Sequence, residues 1–279
     1  MKKRIRAGRG LALLLAVLLL MPTLLSLRPV ANAASLTVTT YDGTLTVNGT
    51  ASDVPTLTIE GRTFVPMYTF VSAFTEAKYT YNRYTSYATL TAPSLTVSAG
   101  NGGTFITAND RCLYGVAANR MINGTLWVPL SVIAKACGVT VTGTMAVRGS
   151  YRALTHATRF YNQNDLYWLS RIISAESKGE PLRGQMAVGN VVLNRVRSKG
   201  YPATVEAVIF QKNQFTPAMN GTVYDAPAWL SVCVAKMCLE GYSISNDILF
   251  FCNPRTSTSS WVVKNRPFAF TIQNHSFYL

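Results

Sequence analysis

Glu176 is the residue whose placement most suggests chemistry. The segment Leu166-Tyr167-Trp168-Leu169-Ser170-Arg171-Ile172-Ile173-Ser174-Ala175-Glu176 carries a helical apolar stripe through Leu166, Leu169, Ile172 and Ile173. At about 100° per residue, Glu176 falls on that stripe and not on the side of Arg171. Gly179, Glu180 and Pro181 follow and break the helix beside an expected crevice. A carboxylic acid at the end of an apolar helix face is partly desolvated, so its pKa rises and it holds a proton near neutral pH. A general acid for glycosidic bond cleavage needs that property. Position alone leaves an equal alternative, a carboxylate fraying into solvent at a helix terminus.

The other titratable residues narrow the chemistry. Beyond the helix break, the acids are Glu180, Glu206, Asp225, Glu240 and Asp247, with Asp165 at the start of the first helix. Asp165, Glu206 and Glu240 read as helix-cap or solvated-face residues, Glu180 as a structural loop residue, and Asp225 as the cap of a helix near Pro227. No second catalytic acid stands out. Cutting a β-1,4 glycosidic bond by hydrolysis normally uses two carboxylates, whereas a single acid fits a lytic transglycosylase. Such a group protonates the leaving oxygen and then, as a carboxylate, deprotonates the C6 hydroxyl of muramic acid to close a 1,6-anhydro ring. With only His156 and His275 and no His-Glu-x-x-His pattern, a zinc site is not expected, nor is any other cofactor. The five cysteines (Cys112, Cys137, Cys233, Cys238 and Cys252) show no metal-ligand spacing. Cys112 with Cys137 is an unforced pairing, and Cys233 with Cys238 on one helix an awkward one.

Several short runs accompany Glu176 in order. They are Ala175-Glu176-Ser177-Lys178-Gly179-Glu180-Pro181, Gly184-Gln185-Met186-Ala187-Val188-Gly189-Asn190, Leu193-Asn194-Arg195-Val196, Tyr201-Pro202, Gln214-Phe215, Asn253-Pro254 and Thr271-Ile272-Gln273-Asn274-His275-Ser276-Phe277-Tyr278. Over about 115 residues, from near Asp165 to the C-terminus, this series resembles the catalytic domain of the spore cortex-lytic enzyme family of bacterial cell wall hydrolases. The resemblance implies a single catalytic glutamate, Glu176, and peptidoglycan glycan strands as substrate. It also implies substrate-binding roles for Gln214, Phe215, Asn253 and His275. Asn190 and Asn194, four apart on an otherwise apolar helix, can line the site, with Asn194 a substrate-binding candidate, or tie the helix to a loop, and Arg195 can pair with a carboxylate. Trp168, Tyr201, Tyr224 and Trp261 are candidate sugar-stacking platforms that also suit a core. A hydrolytic muramidase or glucosaminidase with a second carboxylate, or a non-catalytic wall-binding protein, are the alternatives.

Residues 1–33 have the form of a secretory signal. Lys2, Lys3, Arg4, Arg6 and Arg9 precede the apolar run Leu11 to Leu20, and Ala31-Asn32-Ala33 offers a cleavage site. The segment carries six of the 26 basic residues and none of the 12 acidic ones, so the remainder has 20 minus 12, a net charge of +8. A secreted chain of that charge suits an anionic cell wall or spore cortex of the Gram-positive type. Nucleic acid is not an expected partner, because the charges are scattered and no nucleic-acid motif accompanies them. Nothing in the sequence names an accessory wall protein.

The roughly 245 residues that follow are long enough for two domains. Residues 35–150 are dense in Thr, Val, Tyr and Ser, with Asn48-Gly49, Asn101-Gly102 and Asn123-Gly124 as tight-turn dipeptides. Gly61-Arg62-Thr63-Phe64-Val65-Pro66-Met67 repeats as Gly124-Thr125-Leu126-Trp127-Val128-Pro129-Leu130 at an offset of 63 residues. Each copy reads as strand, Val-Pro turn, short helix and strand, a unit too small to bury its own core, so the two should pack together. This doubled motif is similar to the stalk-like module named after the N-terminal domain of copper amine oxidases, although it contains no histidine to hold copper. The expected organisation is a β-rich α+β repeat module that serves as spacer or wall anchor, a linker over 151–164, and a catalytic domain over 165–279. The catalytic domain is expected to be α+β and lysozyme-like, a helical core with a small antiparallel sheet. Asn164 or Asp165 is expected to cap its first helix, Leu182 to Arg197 to form a buried one, Thr204 to cap a third, and Pro227 to open a fourth that Gly241 ends. Ile248 to Phe251 and Phe268 to Ile272 read as strands.

Overall fold

A computed structural model describes residues 40–256 and 260–279; the expected secretory signal lies outside the described residues. The N-terminal half runs β1 (Gly43–Val47), β2 (Thr50–Ile59), β3 (Arg62–Pro66), α1 (Met67–Ser72), β4 (Lys78–Asn82), β5 (Tyr87–Ala92), β6 (Leu95–Gly100), β7 (Phe105–Ala108), β8 (Arg111–Tyr114), β9 (Arg120–Ile122), β10 (Thr125–Pro129), α2 (Leu130–Cys137), β11 (Thr140–Gly143) and β12 (Ala146–Arg148). Two sheets result, a meander β4-β5-β6-β7-β8 and a sheet ordered β11-β12-β1-β2-β3-β10-β9. The internal repeat explains the centre of the second sheet. β3 and β10 are its two copies, paired antiparallel with Val65 opposite Val128, so the equivalent residues face each other across a local two-fold. Pro66 and Pro129 then stand at the N-caps of α1 and α2, which pack on each other. Asn48-Gly49 and Asn123-Gly124 form two-residue turns with positive φ at both positions, whereas Asn101-Gly102 lies in a longer loop between β6 and β7.

The C-terminal half runs α3 (Ala157–Phe160), α4 (Gln163–Ser177), α5 (Leu182–Arg197), α6 (Val205–Ile209), α7 (Thr216–Asn220), α8 (Trp229–Leu239), β13 (Phe250–Cys252), α9 (Ser260–Asn265), β14 (Phe268–Ile272) and β15 (His275–Tyr278). A helical core of α4, α5 and α8 is joined by a small antiparallel sheet ordered β13-β15-β14. α5 is buried from Gly184 to Arg195, as its apolar sequence requires. Gly189 lets α4 and α8 close on it: a Cβ there would lie 2.8 Å from both Ile173 Cδ1 and Cys238 Sγ. Thr204 caps α6 through its hydroxyl, and Gly241 follows α8 with φ 94°.

Several expectations are corrected. The first helix starts two residues earlier than read, because the Asn162 side chain accepts from the backbone N–H groups of Asn164 and Asp165. Pro227 lies outside α8, whose N-cap is Ala228; the N–H of Ala228 donates to Ser174 Oγ of α4 (3.0 Å). Asp225 is exposed and does not cap that helix. The first strand of the small sheet begins at Phe250, two residues later than read, where its ladder with β15 starts opposite Tyr278.

The largest correction concerns Glu240. It stands at the C-cap of α8, but its side chain is not solvated: it is 1% exposed and bridges the two halves. Arg111 donates to it twice (Nε 2.6 Å, Nη2 2.8 Å), and Lys135 Nζ and Tyr161 Oη donate at 2.8 Å each. Burial works to raise the carboxyl pKa, and these hydrogen bonds outweigh it and hold the group below the ordinary carboxylate range. Lys236 Nζ reaches the Asp110 carbonyl oxygen at 2.7 Å and its carboxylate at 2.8 Å. Phe105, Cys112 and Tyr114 join the apolar cluster of the helical half. The segment 151–164 is correspondingly tied down. The N–H groups of Arg152 and Leu154 donate to Cys137 and Ala136, that of Ala157 donates to Asn109, and Asn109 Nδ2 donates to the Leu154 carbonyl.

Candidate active site

The helix-breaking run Gly179-Glu180-Pro181 directs the chain from α4 into α5 and leaves the last turn of α4 at the wall of a cavity of about 690 Å³. Glu176 enters it from that turn, Arg195 from α5, and Gln214 and Phe215 from the loop before α7. Asn253 follows β13, Trp261 lies on α9, and His275 opens β15. Five of the six residues expected to act or bind therefore share one cavity.

Glu176 is half-buried, and among the described residues its carboxyl group has no hydrogen-bond or ion-pair partner. Burial pushes its pKa up from 4.5 to about 7. Its location adds to the effect: the C-terminal turn of a helix carries the negative end of the backbone dipole, which opposes an anion, and the last turn of α4 holds no basic residue. At neutral pH the group is poised between donor and acceptor forms. No other carboxylate among the described residues lines this cavity.

Glu180, four residues on, is held quite differently. It is buried, and Asn274 donates to it through Nδ2 (2.9 Å) and the backbone N–H (3.3 Å), which fastens the α4–α5 turn to the β14–β15 hairpin. Its Oε1 also lies 3.8 Å from His275 Nδ1. Burial lowers the His275 pKa, with Glu180 opposing, so the imidazole is neutral at the pH where Glu176 titrates. The ring is set edge-on to Phe251 at 5.3 Å.

The polar groups around Glu176 vary in freedom. Gln214 is exposed, preceded by Asn213 in the left-handed region (φ 61°), a conformation that asparagine tolerates better than most side chains. Asn253 spends its Oδ1 on the Arg255 N–H (3.0 Å), which leaves its amide N–H groups as the ones to present. Phe215 is buried as a wall of the cavity. Of the four aromatic platforms considered, only Trp261 lines the cavity, half-exposed; Trp168 packs against Phe210 and Tyr224, and Tyr201 sits over Arg195.

Of the two roles open to Asn194 and Asn190, the tie from helix to loop is the one the hydrogen bonds support, against the substrate-binding role expected of Asn194. Asn194 is not brought to the cavity: it is buried, and its Nδ2 donates to the carbonyls of Ser245 (3.1 Å) and Ile248 (3.0 Å). Asn190 likewise ties α5 to a loop, donating to the Tyr242 carbonyl and accepting from the Ile244 N–H. Arg195 pairs with no carboxylate among the described residues. Its Nε donates to the Leu249 carbonyl (2.8 Å), its guanidinium lies about 5 Å from the rings of Tyr201, Phe215 and Phe250, and burial lowers its pKa. Phe250 and Thr256 also line the cavity; nothing in their local pattern distinguished them from ordinary strand and turn residues.

Residues 179–278 match the family described as Cell Wall Hydrolase, and residues 44–148 match the Copper amine oxidase N-terminal domain. The first match begins just beyond Glu176 and contains the other cavity residues named above. The chain is 36% identical over 123 residues to the spore cortex-lytic enzyme of Bacillus cereus, which covers 44% of this chain and 47% of that protein. It is 35% identical over 117 residues to the spore cortex-lytic enzyme of Oceanobacillus iheyensis, covering 42% of each. The chain thus spans about half the length of these relatives or less. Among solved structures, the catalytic domain of the germination-specific lytic transglycosylase SleB from Bacillus anthracis is 36% identical, with 43% of this chain and 97% of that chain covered at a TM-score of 0.40.

Proposed function

We propose that this chain, whose C-terminal half carries a cell wall hydrolase domain and whose N-terminal half carries a copper amine oxidase N-terminal-like domain, is an exported enzyme that cleaves the glycan backbone of peptidoglycan in spore cortex or cell wall. The reaction is a lytic transglycosylation. Glu176 donates its proton to the glycosidic oxygen as the bond to C1 of the muramic acid residue breaks. The carboxylate then takes the proton of that residue's C6 hydroxyl, whose oxygen closes on C1 to give the 1,6-anhydro product. The enzyme ends with its proton restored and no water consumed.

One observation carries this reading: Glu176 is the single carboxylate lining the cavity among the described residues, and its pKa lies at about 7. One group must serve as both acid and base, and a pKa near the operating pH suits both roles. In this reading Gln214 and the Asn253 amide hold sugar hydroxyls or N-acetyl groups, neutral His275 accepts or donates a hydrogen bond, and Trp261 stacks on a pyranose face; their common place on the cavity wall supports it. In this reading the helical core and small sheet form a lysozyme-like cleft, and the N-terminal domain holds the enzyme on the wall.

Mass spectrometry of the digestion products tests it. The expected fragments end in anhydro-muramic acid, each lighter by one water than its hydrolytic counterpart and without a reducing end. Reducing-end muramic or glucosamine products would make water the acceptor and require a second carboxylate, and the transglycosylase reading would fall.

A further inference from the structure

Two ion pairs fasten the seam where α8 meets β8. Cys233, Lys236 and Glu240 are spaced as i, i+3 and i+7, one face of a helix. Opposite them are Cys112, Asp110 and Arg111, in or just before β8. Glu240 holds Arg111 and Lys236 holds Asp110, and beside these anchors Cys112 and Cys233 enter one apolar cluster where β8 packs on α8. The two thiols are 1% and 3% exposed and belong to one apolar cluster. We propose that Cys112 and Cys233 form a disulfide that covalently joins the N-terminal domain to the glycan-cleaving domain. The cysteines are free in the structure described here, so the proposal concerns the oxidised protein.

The geometry favours this pair over every other. Both side chains are buried in the layer where β8 packs on α8, and a disulfide bond of about 2.05 Å between them would cross that seam directly. The ion pairs beside them fix the helix against the strand. Cys137 is buried in the N-terminal core, away from the seam. Cys238 Sγ instead faces α5, where it contacts the Met186 carbonyl and Asn190 Nδ2. Cys252 lies on β13 beside Tyr278. One pair and three free thiols also account for an odd number of cysteines.

The chemistry is thiol–disulfide exchange with a disulfide oxidant, either oxidised glutathione or an oxidoreductase disulfide, which the proposed compartment outside the membrane admits. One cysteine, as thiolate, attacks the oxidant's sulfur–sulfur bond and releases its first thiol. The second cysteine then attacks the mixed disulfide and releases the other. Two protein thiols are oxidised, one disulfide is reduced to two thiols, and the two protons leave on those products. The neighbouring Cys233, and then burial, hold the Cys112 thiol far above the ordinary range. The closed seam is therefore unreactive, and the exchange belongs to the stage at which the domains come together.

The test uses the full chain refolded with excess oxidised glutathione, denatured, alkylated without reductant, digested and analysed by mass spectrometry. The expected result is one linked pair of peptides carrying Cys112 and Cys233, lighter by two hydrogens than the separate peptides, with Cys137, Cys238 and Cys252 alkylated. Five alkylated cysteines, or Cys112 or Cys233 found on glutathione or on a different cysteine, would overturn it. As a second measurement, the melting temperature of the unmodified chain rises on oxidation, and that of Cys112→Ser and of Cys233→Ser does not. An equal rise in either variant refutes the assignment. Neither cysteine lines the cavity of Glu176, so failure here leaves the glycan-cleaving reading intact.

Discussion

Replacing Glu176 by glutamine should remove activity and, above neutral pH, make the protein more stable. The magnitude follows from the pKa of about 7 against the ordinary 4.5. In the window between these values the native chain keeps a proton that the unfolded chain has released, so stability falls as pH rises through it. At about 1.4 kcal/mol per pH unit, the full difference is about 3 kcal/mol, an upper limit for a half-buried side chain. The loss is complete above pH 7 and absent below 4.5. The Glu176→Gln variant has no ionisation there and should lack the slope. It should match the parent near pH 4.5 and exceed it by up to about 3 kcal/mol at pH 8, or roughly 6–10 °C in melting temperature for a chain of this size. Thermal denaturation of both proteins across that range measures the difference. Turnover on peptidoglycan should fall by roughly 10²–10⁴ or more, and the parent's rate should decline above about pH 7 as the donor form is lost. An unchanged stability difference from pH 4.5 to 8 would refute the desolvation argument, and normal turnover in the variant would refute the role of Glu176.

Glu240→Gln leaves Arg111 buried without its counter-charge and should destabilise the chain by about 3–5 kcal/mol in urea unfolding. Because the Glu240 carboxyl lies below its ordinary range, the bridge contributes fully above that range and is lost as pH falls through the native value, so an acid titration of the parent should show the domain seam loosening. Asn194→Ala frees two buried carbonyls and should cost about 1–3 kcal/mol of stability, with KM for glycan fragments unchanged; a rise in KM without loss of stability would return Asn194 to the binding site. Gly189→Ala forces a methyl against Ile173 and Cys238 and should lower stability by about 1–3 kcal/mol, read as a drop in melting temperature with the product profile unaltered.

How far the sequence could be read depended on the range of each interaction. α5 and β14 have the predicted bounds, Leu182 to Arg197 and Phe268 to Ile272, because a turn or cap residue sits directly beside a strong apolar pattern. The repeat led to the expectation that its two copies pack together, since equal halves with unburied faces cover each other, and the pairing of β3 with β10 is how they do so. Caps were less clear where Asn162, Asn164 and Asp165 lie close together and all have the chemistry. Asn194 shows a different limit. A polar side chain on a buried helix must have a partner, but its sequence does not say whether that partner is a sugar or the carbonyls of Ser245 and Ile248. Glu240 was misread because its partners Arg111 and Lys135 are more than 100 residues away, and a polar helix end looks the same with or without them.

The same distinction governs the pair of glutamates that flank the break after α4. Glu176 and Glu180 are four residues apart in one turn-rich stretch, and composition treats them alike. What separates them is the supply of donors. Asn274 gives Glu180 two hydrogen bonds, which fix the turn on the β14–β15 hairpin. Glu176 receives none among the described residues and faces the negative end of its own helix. The bonded carboxylate therefore works as a fastener, and the unbonded one keeps a mobile proton. The fastener also serves the site, because the hairpin it holds carries His275 into the cavity that Glu176 faces. A break in the helix thus performs two tasks at once: it strands one acid where its proton is available, and it uses the next to anchor the strand that completes the cavity wall.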